Sequence, residues 1–330
     1  MEEMADARDP IEELITSFNE LNSSTIEELD EEPSPLEFMR FVARNTPFVI
    51  RNGAKDWVAT KTWSAQYLQE ALKGHHVNVA VTPFGNADAP TVHSDGAHAG
   101  GEHVFAKPHE EDQPFENFID YLTKQELDPS FSGSEVRYAQ TRKPKPSCNH
   151  DGNTGLIPVL QKMTTSGMTL QKEPDAINMW IGNSRSVTAL HRDNYENIYV
   201  QIAGQKHFVL LPPLCQPCIN EQELRPASYV RRGDQLVLDM EDGDSVPFAT
   251  WDPDRPEANS TKYSALASPM RVTLDPGDML YLPAMWYHKV SQSCSPEGVC
   301  IAVNYWYDMD FSGPLYPLTS FVRSMNGRIA

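Results

Sequence analysis

The most reactive grouping that spacing can assemble in this chain begins at His191-Arg192-Asp193, in the stretch TALHRDNYENIYVQIAGQKHFVLLPP of residues 188–213. On a β-strand, residues two apart point to the same face. His191 and Asp193 can therefore offer an imidazole nitrogen and a carboxylate oxygen to one metal ion, while Arg192 points away from it. The third ligand is expected from a histidine on a neighbouring strand, and MLYLPAMWYHKV supplies His288. Two histidines and one carboxylate on one face of an octahedron are the donor set of non-haem Fe(II) oxygenases, with three positions left for a cosubstrate and O2. His-x-Asp alone is a weak signal, because such pairs also occur at exposed strand ends. Here β-favouring residues 186–190 precede it. An alternation of Asn197, Tyr199 and Gln201 against Ile198, Val200 and Ile202 follows.

Lys206 comes just after a turn at Gly204, at the start of a strand that Pro212-Pro213 ends. If it points inward, its ammonium needs an anion, because a buried unpaired cation is costly. Thr188, and Tyr138 within VRYAQT, could donate hydroxyl hydrogen bonds to the same anion. A dicarboxylate with an α-keto acid end could chelate iron there and meet Lys206 at its other end. 2-Oxoglutarate has that shape. The alternative is a lysine snorkelling at a strand start, which the neighbouring triad disfavours.

These side chains must be positioned by many short strands. Strand patterns cover 48–51, 77–82, 136–141, 176–181, 206–211, 270–274, 279–282, 286–291 and 298–305, with turn signals such as Asp275-Pro276-Gly277-Asp278 between them. That rhythm predicts a mainly β fold, a double-stranded β-helix or jelly roll of cupin-like type, with surrounding helices. One helix starts at Asp9-Pro10, a cap followed by proline, with Ile11, Leu14, Ile15, Phe18 and Leu21 on one face. Others are expected over 36–44, around Trp57, Trp63, Tyr67, Leu68 and Leu72, and around Phe115, Phe118, Ile119 and Leu122. The Gly-, Ala-, His- and acid-rich segment 84–114 reads as a long loop or mobile flap, with His93, His98, His103 and His109 on its surface. Residues 143–155 read as a surface loop, and 214–269 as a polar excursion. The expected organisation is an acidic helical extension over 1–32 and a catalytic domain over 33–330, its metal-binding core at about 177–310.

At 330 residues the chain can bury one large core, or one core plus a small appendage. No apolar run approaches the ~20 residues of a membrane helix. The acidic start MEEMADARDP lacks the features of a signal peptide, so a cytoplasmic location, with the nucleus as second compartment, is the expectation. A formal charge of −19 argues against broad nucleic-acid binding and suits a basic protein segment as partner. Five cysteines, an odd count, argue against a disulfide framework. Cys215-x2-Cys218 has zinc or redox spacing, but Cys294 and Cys300 are wrongly spaced for the usual knuckle.

The motifs NMWIG, TALHRDNYENIYVQIAGQKHFVLLPP, MLYLPAMWYHKV and IAVNYWYDM, with PFVIRNGAKDW, VNVAVTPFGNAD and VRYAQTR before them, resemble the JmjC-domain Fe(II)/2-oxoglutarate oxygenases over nearly the whole chain. The likeness is greatest to the small JmjC-only lysyl hydroxylases. It implies that His191, Asp193 and His288 hold Fe(II), and that Tyr138, Thr188 and Lys206 bind the distal carboxylate of 2-oxoglutarate. Asn197 and Asn304 would lie by its chelating end, with Tyr199 nearby. Trp180, Trp286 and Trp306 would line the pocket or be plain core. The implied reaction consumes 2-oxoglutarate and O2, releases succinate and CO2, and hydroxylates a C–H bond. The implied outcome is (3S)-hydroxylation of a lysine in a developmentally regulated GTP-binding protein.

A lysyl ammonium would meet carboxylates near the barrel mouth; Glu110, Glu111 and Asp112 are candidates, but a solvated acidic loop is the preferred reading of these three. PLYPLTSFVRSM would form a helix that builds a homodimer or caps the barrel. The sequence departs from the family in 84–114 and in an insertion at 241–262. Within the same class, histone lysine demethylation lacks visible chromatin-reading modules, and a histone-tail peptidase activity is a further reading. A tRNA hydroxylase is disfavoured by charge. A non-catalytic cupin-like binding module does not account for the triad and Lys206. A metalloprotease would need a His-Glu-x-x-His helix that is not there.

Overall fold

The computed structural model describes residues 9–94, 101–143 and 173–329. Helix α1 (Pro10–Leu21) starts as its sequence predicts, with the Asp9 carboxylate accepting from the Ile11 amide at 3.0 Å and Pro10 in the first turn. Ile11 and Ile15 are buried, whereas Leu21 is 85 % exposed, beyond the Asn19 amide that reaches the Leu266 carbonyl. Strand β1 (Glu27–Leu29) follows, then α2 (Pro35–Arg44), whose Ser34 and Glu37 form a reciprocal capping box. Next come β2 (Phe48–Ile50), α3 (Val58–Thr62) and α4 (Ala65–Ala71). The single helix expected here is two, because Trp63 takes an extended conformation and Ser64 caps the second.

The chain continues through β3 (His76–Thr82), β4 (Ala89–His93), β5 (Glu102–Lys107), β6 (His109–Pro114), α5 (Phe115–Leu127), β7 (Val136–Lys143) and β8 (Ala176–Gly182). Strands β9 (Thr188–His191), β10 (Tyr195–Ala203) and β11 (Gln205–Leu211) carry the central motif. After them lie β12 (Glu221–Arg232), β13 (Gln235–Met240), β14 (Val246–Ala249), β15 (Met270–Leu274), β16 (Met279–Leu282), β17 (Tyr287–Ser293), β18 (Cys300–Asp308) and α6 (Leu315–Ile329).

Alternation along β10 sets the layers. Ile198, Val200 and Ile202 face a cluster that includes Phe38 of α2, Leu68 of α4 and Phe118 of α5. Tyr199 faces the other way, into a core with Phe208, Leu210, Val272, Leu280 and Val290. That second core lies between a nine-stranded sheet, β1-β2-β16-β10-β18-β8-β7-β3-β6, and a four-stranded sheet, β15-β11-β17-β9. The two sheets form the cupin-like jelly roll. Helix α1 and the 3-10 turn Pro213–Cys218 cover the far face of the smaller sheet through Leu190, Leu211 and Tyr287. Both cysteines of that turn are buried there, and the one group of potential metal ligands among the described residues contains no cysteine.

Two expected irregular segments are strands instead. β4 and β5 from 84–114 join β12 and β13 from 214–269 in a further sheet of order β13-β12-β5-β4, with β14 also paired to β12. β5 and β12 run parallel, Val104 opposite Arg225. Lys107 Nζ to Glu241 at 2.6 Å and Arg225 Nε to Glu102 at 3.0 Å tie the segments together. β4–β5 and β12–β13 are local antiparallel pairs, but β5 and β12 are polar and the ladder that joins them spans more than a hundred residues, so the sheet as a whole has no local signal. His98 and residues 144–155 lie outside the described residues.

Helix α6 buries Thr319 and Val322 and sends Arg323 to Glu221, leaving Tyr316, Leu318 and Phe321 exposed.

Gly204 makes the β10–β11 turn at φ +68°, and a Cβ there would lie 2.5 Å from the Ser293 carbonyl oxygen. Gly204→Ala is expected to destabilise the chain by about 1–3 kcal/mol, read as a lower urea midpoint. An unchanged midpoint would show that this turn can rearrange freely.

Candidate metal centre

Strands β9 and β17 pair with His191 directly opposite His288. β9 stops at His191, so Asp193 is not on the ladder as strand alternation predicts. Its backbone is held instead by the Met285 amide, which donates to the Asp193 carbonyl at 2.8 Å. Met285 sits at φ +68°, a left-handed conformation that costs a non-glycine residue roughly 1 kcal/mol or more. Its side chain is packed with Ala284, Met309 and Leu315, which hold it there.

The three side chains converge, with ligand atoms all within 4.8 Å of one another. Asp193 Oδ2 lies 3.8 Å from His191 Nε2 and 3.7 Å from His288 Nε2. Each histidine contacts a backbone carbonyl through Nδ1, His191 to Ala189 at 2.8 Å and His288 to Trp286 at 3.0 Å. A carbonyl only accepts, so Nδ1 carries the hydrogen and the Nε2 lone pair is left for a metal. Burial, reinforced by His191, holds the His288 imidazole down to about 4 despite Asp193, so the ring is neutral and able to ligate. Two neutral Nε2 atoms and one carboxylate converging on one point suit divalent iron.

A cavity of about 140 Å³ runs from this triad to Lys206, lined by Thr188, Asn197, Tyr199, Asn304 and Trp306 among others. Lys206 is 3 % exposed, and its Nζ donates to the Tyr138 hydroxyl at 3.1 Å. No carboxylate among the described residues pairs with it. Burial pushes the Tyr138 phenol up against the pull of Lys206, so the hydroxyl stays protonated near neutral pH. Two buried polar atoms on residues of the cavity wall, Asn197 Oδ1 and Trp306 Nε1, have no partner among the described residues. The Asn304 carbonyl accepts from Asn178 at 3.0 Å and from Trp180 at 3.1 Å, which leaves its amide group for a ligand. An ammonium and hydroxyls at one end, with a metal-type triad at the other, match a short dicarboxylate that chelates iron.

All nine residues singled out from the sequence, Tyr138, Thr188, His191, Asp193, Asn197, Tyr199, Lys206, His288 and Asn304, meet at this cavity. Trp180 and Trp306 line it as well. Trp286 does not: its indole donates to the Asn45 backbone and side-chain oxygens at 2.8 Å and packs in the core. Sequence reasoning missed Gly182. A Cβ there would lie 2.4 Å from Tyr138 Cδ2, so only glycine lets that ring lie against β8.

A second, outer cleft of about 450 Å³ shares Tyr138, Thr188 and His191 with the inner cavity. Phe105 of β5 and Phe248 of β14, with ring centres 5.3 Å apart, form part of its wall. Arg192 lines it too, with its guanidinium 5.6 Å from the Tyr287 ring centre. Two of the three acids named for the mouth are engaged elsewhere. Glu111 accepts from Arg231 at 2.9 Å and Asp112 contacts His76 at 2.7 Å, and neither they nor Glu110 line the cleft. His93, His103 and His109 do not line it either.

With this fold and site, the chain belongs to the cupin-like JmjC family, and residues 33–313 match the cupin-like domain. It is 36 % identical over 287 residues to the human bifunctional peptidase and (3S)-lysyl hydroxylase JMJD7, covering 86 % of this chain and 84 % of that protein. It is 34 % identical over 329 residues to lysine-specific demethylase JMJ32 of Arabidopsis thaliana, covering 96 % and 91 %. To JmjC domain-containing protein E of Dictyostelium discoideum it is 32 % identical over 85 % of this chain and 83 % of that one.

Asp193→Ala removes the one anionic donor of the triad. Anaerobic Fe(II) titration is expected to show affinity lower by roughly 100-fold or more, at or above the upper end of the loss typical of an outer-sphere partner. Equal affinity in the variant would dismiss this metal centre.

Proposed function

We propose that this chain is an Fe(II)- and 2-oxoglutarate-dependent protein hydroxylase. Its proposed reaction is (3S)-hydroxylation of a lysine in a developmentally regulated GTP-binding protein. The observation that carries the reading is the joining of two half-sites in one cavity, a facial His-Asp-His triad and a buried ammonium without a carboxylate. In this reading His191, Asp193 and His288 hold iron. Lys206, Tyr138 and Thr188 hold the distal carboxylate of 2-oxoglutarate. Asn197 and Asn304 lie beside its chelating end, with Tyr199 against its chain.

The bound iron would supply O2 activation coupled to oxidative decarboxylation of 2-oxoglutarate, one oxygen atom going to succinate and the other to the substrate C–H bond. The protein's own task is placement. Lys206 fixes the far end of the cosubstrate, and enclosure strengthens that ammonium–carboxylate contact by excluding water. The Nδ1–carbonyl contacts of both histidines fix the rings before any metal arrives. Phe208, Val290 and Trp306 make the inner cavity largely apolar around its few polar atoms. The outer cleft then brings the target side chain to the open face of the triad.

The lysine part of the reading draws support from the name of the human relative, at 36 % identity. Cytoplasmic or nuclear placement, and a homodimer through the exposed face of α6, belong to the same proposal. Among the described residues no helix is long and apolar enough to cross a membrane. A second reading, lysine demethylation, draws on the names of the plant relatives. The same oxidation at an N-methyl carbon gives a hemiaminal that releases formaldehyde.

The test incubates the full chain with Fe(II), 2-oxoglutarate and air, alone and with peptides from candidate GTP-binding proteins. Peptide-stimulated succinate release with a 16 Da gain on lysine is the expected result. Loss of 14 Da from methyl-lysine with formaldehyde would favour demethylation, and no succinate would refute both. Lys206→Ala is expected to weaken 2-oxoglutarate binding by on the order of 100-fold while leaving Fe(II) binding in place. Gly182→Ala, which displaces the Tyr138 ring, is expected to weaken it roughly 10-fold, measured by the same anaerobic titration.

A further inference from the structure

The outer cleft has one acidic side chain with no assigned task. Of the carboxylates around it and the inner cavity, Asp193 belongs to the triad, and Glu221 accepts from Arg323 Nε at 2.5 Å. Asp88 forms no ion pair or hydrogen bond among the described residues, yet it lines the cleft. It occupies the bend between β3 and β4 in the left-handed region, φ +50°, a conformation that Asp and Asn tolerate. Its side chain is exposed to the water of the cleft. The protein mass around it, with Glu110 adding to it, still raises its pKa against the pull of Lys107. Lys107 itself is engaged with Glu241 at 2.6 Å.

Charge around the cleft is divided. Arg192 stands over Tyr287, and beside it Glu221 is already paired with Arg323, so that part of the cleft offers no free anion. Asp88 instead lines the cleft together with His191, one of the triad residues. Phe105 and Phe248 give apolar surface for a methylene stem. A lysyl side chain has that combination, an aliphatic stem ending in an ammonium, four bonds beyond its β-carbon. With the ammonium held at Asp88, the stem lies in the cleft that His191 also lines.

We infer that Asp88 is the anchor for the ammonium of a lysine entering this cleft, and so a specificity-determining residue. The inference deepens the lysyl hydroxylase reading and rests on it for what happens to the bound lysine. It also replaces Glu110, Glu111 and Asp112, the acids that the sequence suggested for this task. Long-range attraction by the −19 charge would gather basic segments of any kind. Asp88 is what would select one side chain among them.

The test separates binding from turnover. The full chain, loaded with Zn(II) in place of iron and with 2-oxoglutarate, is titrated with N-acetyl-lysine methylamide and with its uncharged norleucine counterpart, by ligand-observed NMR. The wild type is expected to bind the lysine compound roughly tenfold or more tightly, as a charge-assisted contact would give. Asp88→Asn keeps the size and the left-handed backbone while removing the charge, and should reduce the preference to less than twofold. Glu221→Gln serves as the second variant and should retain it. Equal binding of the two compounds by the wild type, or an undiminished preference in Asp88→Asn, would overturn the inference. If the preference behaves as expected while the succinate assay gives nothing, the anchor stands and the hydroxylase reading falls. Lysine hydroxylation with no such preference would do the reverse.

Discussion

The centre of this protein depends on one register, that of β17. A slip of one residue would turn His288 to the opposite face of its sheet. The short β9 cannot set that register, since its ladder with β17 has only two registered pairs and a shift between them. β11 sets it, pairing with β17 continuously from Gln205 opposite Ser293 to Leu211 opposite Tyr287. The Pro283–Trp286 corner then brings the Met285 amide onto the Asp193 carbonyl, and the third donor is placed from outside the ladder.

That same β11 carries Lys206. His288 lies opposite Leu210, and Lys206 is four residues earlier on the strand. At the strand rise this is about 13 Å along one sheet, a span that a lysine side chain and a short dicarboxylate together can bridge. The spacing between metal donor and ammonium is thus fixed by a single strand, with no loop between them. Tyr138 approaches from the opposite sheet, and its position depends on the missing side chain of Gly182. Rigid elements therefore set both ends of the inner cavity.

Much of this was legible in the sequence because its signals are local. Period-2 alternation over 195–203 identified which residues of β10 face inward, and Gly204 with Pro212-Pro213 bounded β11. A histidine and an aspartate two apart sufficed to suggest a metal, though Asp193 reaches it from beyond the strand end. What stayed hidden is held by distant partners. β5 and β12 are polar segments whose mutual ladder joins two strand pairs from distant parts of the chain, and Arg225 and Lys107 carry no mark of their acidic counterparts. Pattern alone could not divide the three tryptophans between pocket and core, and Trp286 falls to the core because Asn45 takes its indole hydrogen. Glu111 and Asp112 looked free until the fold supplied Arg231 and His76. Asp88 had no signal at all, since an acid in an Asn-Ala-Asp-Ala-Pro bend looks like any surface turn.

The further sheet built mostly from 84–114 and 214–269 gives the molecule two tiers. The lower tier, the jelly roll, fixes the chemistry. The upper tier, carrying Phe105 and Phe248 on segments joined to each other, shapes what can reach it. Few residues serve both, Tyr138, Thr188 and His191 among them. The upper tier behaves as an interchangeable visor. Re-sculpting β5 and β14 could redirect the enzyme to a different protein target while the register, the triad and the ammonium beneath stay untouched.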